Sequence, residues 1–131
     1  MIYGVGTDLV SIPRMDGLWR RHGARAVQRI LTLSEQQELG RRREPARYLA
    51  LRFAAKEAVA KALGTGFSAG VSLQSMSILA DSRGKPVVHF APGPLADRLR
   101  EMGVAGVELS LADELDWALA FAVAFGRGTN G

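Results

Sequence analysis

The sequence predicts an α+β protein of one domain, with a long central helix and a mostly antiparallel sheet. Its 131 residues suffice for one compact core and are few for two. Residues 46–63 are dense in Ala, Leu, Arg, Lys and Glu and contain no Gly or Pro, which is typical of a helix. After residue 66 the pattern changes to alternating apolar and polar residues, which indicates strands. We therefore expect one domain over residues 1–126 and a frayed tail over residues 127–131.

The N-terminal segment predicts a short strand followed by a helix. Residues 2–5 are β-prone and run into a Gly-Thr-Asp turn, so Asp8 is expected where the strand ends. Ser11 and Pro13 have the spacing of an N-cap and a first helical turn, which predicts a helix to about residue 21.

Three more helices are predicted before the strands. A short helix is expected over residues 24–30, and residues 34–37 have capping-box spacing for a helix that runs toward residue 43. Pro45 opens the central helix, and Gly64 fits a left-handed cap at its end.

The second half of the chain predicts four strands and one helix. The strands are expected at residues 76–78, 87–90, 107–111 and 117–125. The first two are joined by a hairpin turn at residues 81–84, and the last two by an acidic turn at residues 112–116. An amphipathic helix over residues 92–102 lies between the two pairs.

Composition excludes several kinds of site. The absence of cysteine excludes disulfides, thiolate metal sites and cysteine nucleophiles, and two scattered histidines do not suggest a zinc site. Any metal is therefore expected to have oxygen ligands. Charged residues interrupt the apolar runs before the roughly 18 residues that a membrane span needs. We accordingly expect a cytoplasmic protein without a membrane partner.

Charge favours a partner rich in phosphate or carboxylate. Lysine and arginine outnumber aspartate and glutamate by 17 to 13, and residues 14–29 alone hold five arginines and one aspartate. This segment is a candidate docking surface. A small nucleic-acid-binding domain is the alternative interpretation. Aromatic residues make up only 7% of the chain and form no stacking face in the sequence, so we expect no nucleic-acid partner.

Two carboxylates and a lysine form the candidate catalytic group. Glu57 and Lys61 are four residues apart on the central helix, one turn after Phe53, and share a face with it. Asp8 and Glu57 could hold Mg²⁺ with phosphate oxygens and water, while Lys61 and Arg52 neutralise phosphate charge. In the competing interpretations, Asp8 satisfies backbone N–H groups in a turn, and Glu57 and Lys61 form an exposed surface pair.

Three stretches of the sequence resemble a known family. Residues 4–10 read GVGTDLV, residues 52–66 read RFAAKEAVAKALGTG, and residues 84–86 read GKP. Together they resemble the short bacterial 4′-phosphopantetheinyl transferases, the holo-acyl-carrier-protein synthase family. The likeness runs in order from residue 1 to about residue 125. It implies the 4′-phosphopantetheinyl transferase fold.

The resemblance implies a Mg²⁺-dependent reaction in support of fatty acid biosynthesis. A serine hydroxyl of apo acyl carrier protein attacks the β-phosphate of coenzyme A, which gives holo carrier protein and releases adenosine 3′,5′-bisphosphate. By their match to the family's motifs, Asp8 and Glu57 would be the Mg²⁺ ligands and, together with Lys61, the catalytic residues. The coenzyme A site would be formed by Arg52, Phe53, Lys61, Gly64, Gly84 and Pro86.

The resemblance also implies assembly and docking. Short members of the family form trimers with each active site at a subunit boundary, so a homotrimer is expected. The acidic carrier would dock on Arg14, Arg20, Arg21 and Arg25. One departure is Asp113, which stands where many members have a histidine, so no role of that histidine is transferred. The base that takes the serine proton is left open between a metal-bound water and Glu57.

Overall fold

The computed structural model describes residues 1–127 and contains five strands and five α-helices. The strands are β1 (Ile2–Ser11), β2 (Met76–Ala80), β3 (Pro86–Phe90), β4 (Val104–Glu114) and β5 (Trp117–Gly126). The helices are α1 (Ile12–His22), α2 (Ala24–Ile30), α3 (Leu33–Leu39), α4 (Pro45–Leu63) and α5 (Pro94–Glu101). A 3₁₀ turn, Leu73–Ser75, precedes β2. Residues 128–131 lie outside the described part of the chain, so the predicted frayed tail stays a prediction.

Two antiparallel sheets confirm the predicted α+β class. β5 lies between β1 and β4 in a three-stranded sheet, and β2 pairs with β3 in a hairpin. The hairpin turn is where the sequence predicts it. Gly84 has a φ of +85°, and the Asp81 carboxylate accepts from the backbone N–H groups of Arg83 and Lys85 at 2.8 and 3.0 Å.

The central helix α4 packs on the three-stranded sheet through small residues. Its Ala54, Ala55 and Ala58 are fully buried. On the sheet side β5 contributes four alanines with no exposed surface, at positions 118, 120, 122 and 124. On β1, a Cβ at Gly6 would overlap the backbone carbonyl of Ala58, so the strand and the helix are in direct backbone contact. Although α4 has 19 residues, no helix within residues 1–127 is both long and apolar enough to span a membrane.

A fully buried ion pair joins the short helices to α4. Lys56 Nζ lies 2.6 Å from Glu35 Oε1, and neither side chain has exposed surface. The same ammonium donates to the carbonyl oxygens of Ile30 and Leu73, each at 2.7 Å. Burial lowers the pKa of Lys56, and the Glu35 carboxylate opposes this shift. Four segments of the chain therefore meet at one buried ammonium group.

Strand β1 continues through the turn that was expected at residues 6–8. It pairs with β5 as far as Ser11, and Asp8 lies opposite Ala120 within the sheet. The expectation that Asp8 follows the end of a strand is therefore wrong. The glycines that resemble a turn signal occur here because α4 lies against this part of the strand.

Helix α3 begins earlier and ends earlier than predicted. Its N-cap is Thr32, and not Ser34, because the Glu35 carboxylate accepts from the Thr32 backbone N–H at 2.8 Å and completes a capping box. The helix stops at Leu39 and does not reach residue 43. The other helices agree with the prediction more closely. Gly64 caps α4 with a left-handed φ of +78°, as expected.

Strand β4 is longer than predicted and shortens the acidic turn. Ala112, Asp113 and Glu114 pair with residues of β5, so the turn expected over residues 112–116 is reduced to Leu115 and Asp116. Leu115 adopts a φ of +52° there.

Replacing Gly6 by alanine tests the backbone contact between β1 and α4. We expect Gly6→Ala to destabilise the fold by about 1–3 kcal/mol or more, because the added Cβ forces the strand away from the Ala58 carbonyl. Gly17→Ala in α1 is the matched control, since nothing lies within 4 Å of a Cβ at that position. Alanine there should stabilise the helix by about 0.5–1 kcal/mol. Thermal unfolding measures both variants, and equal melting temperatures would contradict the close packing.

Candidate active site

Asp8, Glu57 and Lys61 come together where β1 lies on α4. Even-numbered residues of β1 face the helix, and Asp8 follows Gly4 and Gly6 on that face. Lys61 Nζ donates to Asp8 Oδ1 at 3.2 Å and to the Thr7 carbonyl oxygen at 2.9 Å. The three residues that the sequence analysis grouped are thus neighbours in the structure, and their catalytic roles stay predictions.

Lys61 does not form a simple surface pair with Glu57. Within residues 1–127 its ion pair is with Asp8, whose side chain is only 18% exposed. The lysine is itself 53% exposed, so its ammonium group is accessible to an anionic ligand while it contacts the strand. The carboxylate of Asp8 is therefore a binding group for cations.

The carboxylates of Asp8 and Glu57 interact electrostatically near this contact. Burial raises the pKa of Glu57, and the charge of Asp8 raises it further, while Lys61 acts in the opposite direction. Two carboxylates that repel each other form a site that a cation would stabilise. Mg²⁺ takes one or two protein carboxylates together with water and phosphate oxygens, so this pair fits the ion. Within residues 1–127 no group of three or more potential ligands occurs, so the remaining positions would belong to water and substrate.

A cleft of about 570 Å³ opens beside Glu57. Its α4 wall is formed by Phe53 and Glu57, and another wall by Ile30 at the end of α2 and Leu73 of the 3₁₀ turn. The other lining residues are Leu18, His22, Arg25, Ala26, Arg29 and Phe67. The cleft therefore combines apolar walls with cationic side chains next to the carboxylate of Glu57.

Part of this lining was not predicted. Ile30 and Leu73 were not assigned to a site, because the contact between α2 and the 3₁₀ turn joins segments more than 40 residues apart. Phe67 did carry a signal. It is a large aromatic residue, 42% exposed, in a loop of small and polar residues directly after the Gly64 cap.

Arg52 is not brought to the carboxylate cluster. It is only 6% exposed, and its guanidinium carbon lies 4.4 Å from the centroid of the Tyr48 ring. Burial raises the pKa of Tyr48, and the charge of Arg52 opposes the shift. Within residues 1–127 the buried Nε of Arg52 has no hydrogen-bond partner. Its contact with phosphate stays a prediction that this position does not support.

Gly84 and Pro86 also lie apart from the cleft. Gly84 occupies the β2–β3 turn, and Pro86 begins β3. Between them, Lys85 forms an ion pair with Glu108 of β4 at 2.8 Å, which raises the pKa of Lys85. Neither Gly84 nor Pro86 lines the cleft beside Glu57.

The predicted docking arginines are all on the surface. Arg14, Arg20 and Arg21 are exposed on α1, and Arg25 is exposed on α2. Arg20 pairs with Asp16 at 3.0 Å. Of the four, Arg25 also lines the cleft. The basic surface therefore extends from α1 to the entrance of the cleft.

Asp113 has a structural contact in this chain. It accepts a hydrogen bond from Arg47 Nη1 at 3.1 Å, and Nη2 of the same arginine donates to the Leu115 carbonyl at 2.8 Å. Arg47 thus ties the β4–β5 turn to the first turn of α4.

Comparison with known proteins identifies the family of this chain. The family model for the 4′-phosphopantetheinyl transferase superfamily matches residues 4–122. A holo-[acyl-carrier-protein] synthase of Neisseria meningitidis serogroup A is 48% identical over 124 residues, which cover 95% of this chain and 98% of the relative. The chain belongs to the holo-acyl-carrier-protein synthase family. The resemblance seen in the sequence is thereby confirmed.

Solved structures of holo-acyl-carrier-protein synthases share the fold. The crystal structure of the synthase from Neisseria meningitidis has a TM-score of 0.91 and 46% identity, and the match covers 95% of this chain and 99% of that one. The synthase from Bacillus anthracis, in complex with CoA (3′,5′-ADP), has a TM-score of 0.78 and 29% identity, with 95% and 96% of the two chains covered.

Glu57→Gln tests the electrostatics of the carboxylate pair. Because the pKa of Glu57 is raised in the folded protein, its ionised form disfavours folding at neutral pH. Below the ordinary value of 4.5 the carboxyl group is protonated in both states and the effect vanishes. We therefore expect Glu57→Gln to raise the melting temperature at pH 7 without divalent cations, and the gain to disappear at acid pH.

Glu114→Gln is the control for this measurement, since Glu114 is an exposed glutamate on β4. It should change the melting temperature little at either pH. A melting temperature of Glu57→Gln no higher than that of the unmodified protein at pH 7 would contradict the raised pKa.

Proposed function

We propose that the protein transfers the 4′-phosphopantetheine group from coenzyme A to a serine of apo acyl carrier protein in the cytoplasm. The products are holo carrier protein and adenosine 3′,5′-bisphosphate, and the reaction supports fatty acid biosynthesis. The observation that carries the proposal is membership of the family over residues 4–122, together with the cluster of Asp8, Glu57 and Lys61.

The chemistry of the reaction suits this cluster. Phosphoryl transfer requires neutralisation of charge and in-line positioning more than a covalent nucleophile. Asp8 and Glu57 would hold Mg²⁺, which when bound would neutralise charge on the phosphate oxygens. Asp8 is on a paired strand and Glu57 is on a long helix, so the backbone that carries each carboxylate is fixed before substrate arrives. The exposed ammonium of Lys61 adds a positive charge beside them.

Glu57 is one candidate to receive the proton of the attacking serine. Burial and the charge of Asp8 raise its pKa when no cation is bound, and Mg²⁺ held by the two carboxylates would oppose that shift. Glu57 also lines the cleft, so its carboxylate is accessible to a hydroxyl group that enters from the carrier. The proton acceptor therefore stays open between Glu57 and a metal-bound water.

Transfer of a mass equal to phosphopantetheine is the direct test. Incubation with apo carrier protein, coenzyme A and Mg²⁺ should increase the mass of the carrier by one phosphopantetheine. Asp8→Ala and Glu57→Ala should each lower turnover by about a hundredfold or more with little loss of folding, because each removes a charged ligand and no core volume.

Asp97→Ala is the control for these variants, since Asp97 is 66% exposed on α5. Normal turnover of either carboxylate variant would contradict the two-carboxylate site. Absence of the mass gain with the unmodified protein, combined with tight and salt-sensitive binding to random DNA, would favour the alternative of a nucleic-acid-binding domain.

We also propose that the basic surface of α1 and α2 docks the acidic carrier. Its support is that Arg25 lines the cleft, while Arg14 and Arg21 are exposed on α1, the helix that contributes two other residues to the cleft lining. A carrier helix held there would bring its serine to the carboxylate cluster. Exposed ion pairs contribute about 0–1 kcal/mol each, so the cluster acts mainly through encounter and its dependence on salt.

Charge reversal tests the docking surface. Arg14→Glu combined with Arg21→Glu should raise the KM for carrier protein by about tenfold and flatten its dependence on ionic strength. The KM for coenzyme A should change little. Arg98→Glu with Arg100→Glu on α5 changes the net charge equally and is the control. An equal rise of both KM values in the Arg14 and Arg21 variant would contradict docking at this surface.

A homotrimer is supported by the second face of the three-stranded sheet. Val5 and Leu9 of β1 and Trp117, Leu119 and Phe121 of β5 are 43–58% exposed. A continuous apolar surface of this kind is typical of a protein interface. We propose that assembly covers it and that the β2–β3 hairpin of an adjacent copy completes each site with its Gly84 and Pro86.

Phe121→Lys tests this assembly. Sedimentation should find three chains in the unmodified protein and a smaller, inactive species for Phe121→Lys, because a charge is placed in the apolar interface. Leu33→Lys is the control, since Leu33 is 78% exposed on α3 and lies outside the sheet. A fully active monomer of the unmodified protein would contradict the trimer.

A further inference from the structure

The ammonium group of Lys56 is saturated by three acceptors from three different segments. These are the Ile30 carbonyl at the end of α2, the Glu35 carboxylate in α3 and the Leu73 carbonyl in the 3₁₀ turn. An ammonium group has three donors, so each N–H bond is used. We call Lys56, Glu35 and these two carbonyl groups the Lys56 clamp.

The clamp connects the walls of the cleft beside Glu57. Lys56 precedes Glu57 on α4, and both Ile30 and Leu73, whose carbonyls it binds, line the cleft. The Glu35 carboxylate extends the network to β2, because its second oxygen accepts from the Ile78 backbone N–H at 2.7 Å. A movement of Lys56 would therefore shift one wall of the cleft relative to the other.

Stability alone does not explain this arrangement. Replacing a buried ion pair with well-packed apolar residues is often neutral or stabilising, so a core of this size has no need for charges. The charged pair does define a geometry, because the ammonium group of Lys56 donates to two carbonyl oxygens and one carboxylate oxygen at hydrogen-bond distance. Of the two carbonyls that it holds, that of Ile30 ends α2, the helix that carries Arg25 of the proposed docking surface.

We propose that Lys56 is a positioning residue for phosphopantetheine transfer. The Lys56 clamp fixes the end of α2 and the 3₁₀ turn relative to Glu57, and so sets the position from which the carrier serine reaches the carboxylates. The proposal rests on the proposed function of the same site. A misplacement of about 1 Å at a reacting centre can lower the rate by about a hundredfold.

A second contact supports the same connection. The Gln74 side-chain amide in the 3₁₀ turn donates to the carbonyl oxygens of Gln28 and Leu31, at 2.6 and 2.9 Å. These carbonyls belong to the last turn of α2 and its cap. The 3₁₀ turn is thus held against the end of α2 by two independent side chains.

The decisive comparison is between Glu35→Gln and the double variant Glu35→Gln with Lys56→Met. Both lack the buried carboxylate. The double variant also lacks the ammonium group, so it leaves no unpaired charge, and it alone lacks the bonds to Ile30 and Leu73. We expect kcat per folded molecule to be at least about tenfold lower in the double variant, with the KM for coenzyme A within about twofold. Both are assayed well below their own melting temperatures.

A merely structural role would lower the melting temperature and leave kcat per folded molecule equal in the two proteins, which would overturn the proposal. If either variant fails to fold, Gln74→Ala and Gln36→Ala provide the test. Each loses an amide bond to the Leu31 carbonyl, but only Gln74 ties the 3₁₀ turn to α2. We expect a lower kcat for Gln74→Ala alone, and equal kcat values would overturn the proposal.

Hydrogen exchange separates this proposal from the proposed function. Backbone amides of the α2 end and the 3₁₀ turn should exchange faster in the double variant than in Glu35→Gln, while those of β1 and β5 stay unchanged. Unchanged exchange at α2 would overturn the clamp. An unmodified protein that transfers nothing would overturn the function instead, and the exchange measurement would still decide whether the clamp holds the cleft.

Discussion

The direct contact between β1 and α4 is the constraint on which the rest of the structure depends. Gly4 and Gly6 leave no side chain between the strand and the helix, and alanines of α4 and β5 complete the same thin interface. Because the strand lies so close, Asp8 reaches the helix face that carries Glu57 and Lys61. A larger residue at either glycine would push β1 away from α4 and so separate the two carboxylates, although neither glycine is part of the site.

The sheet serves two purposes through the alternation of its strands. In β5 the even positions are alanines packed on α4, and the odd positions 117, 119 and 121 are large apolar residues that remain exposed. The first set determines the geometry of the site, and the second provides the surface that we assign to assembly. Since both sets lie on one strand, a change of register by one residue would exchange them and remove both functions.

Much of the fold and the central part of the site could be predicted from the sequence, because their signals are local. Composition, Pro45 and Gly64 predict α4, and the four-residue spacing of Glu57 and Lys61 predicts their common face. Asp8 was joined to this pair as a candidate Mg²⁺ ligand, and the family motif favoured that interpretation. The position of Asp8 within a strand was not predictable, since Gly-Thr-Asp is a turn signal until the contact with α4 is known.

The contacts that were missed depend on long-range packing. Lys56 reads as one more polar residue in a helix, and its burial follows only from Glu35 and Leu73, which are 21 and 17 residues away. The same holds for Arg52, whose motif match implied a phosphate contact while its side chain lies on the Tyr48 ring. Periodicity indicates which face of a helix a residue occupies, and not which partner that face meets.

The small residues between β1, β5 and α4 also affect the entropy of folding. Alanine and glycine have no side-chain rotamers to lose on burial, whereas a buried leucine or isoleucine loses about 0.5–1 kcal/mol of rotamer freedom. The contact between β1 and α4, which carry Asp8 and Glu57, therefore forms with little loss of side-chain entropy. The small residues also have no alternative rotamers through which this contact could relax, so the spacing of the two backbones that carry Asp8 and Glu57 is determined by backbone atoms.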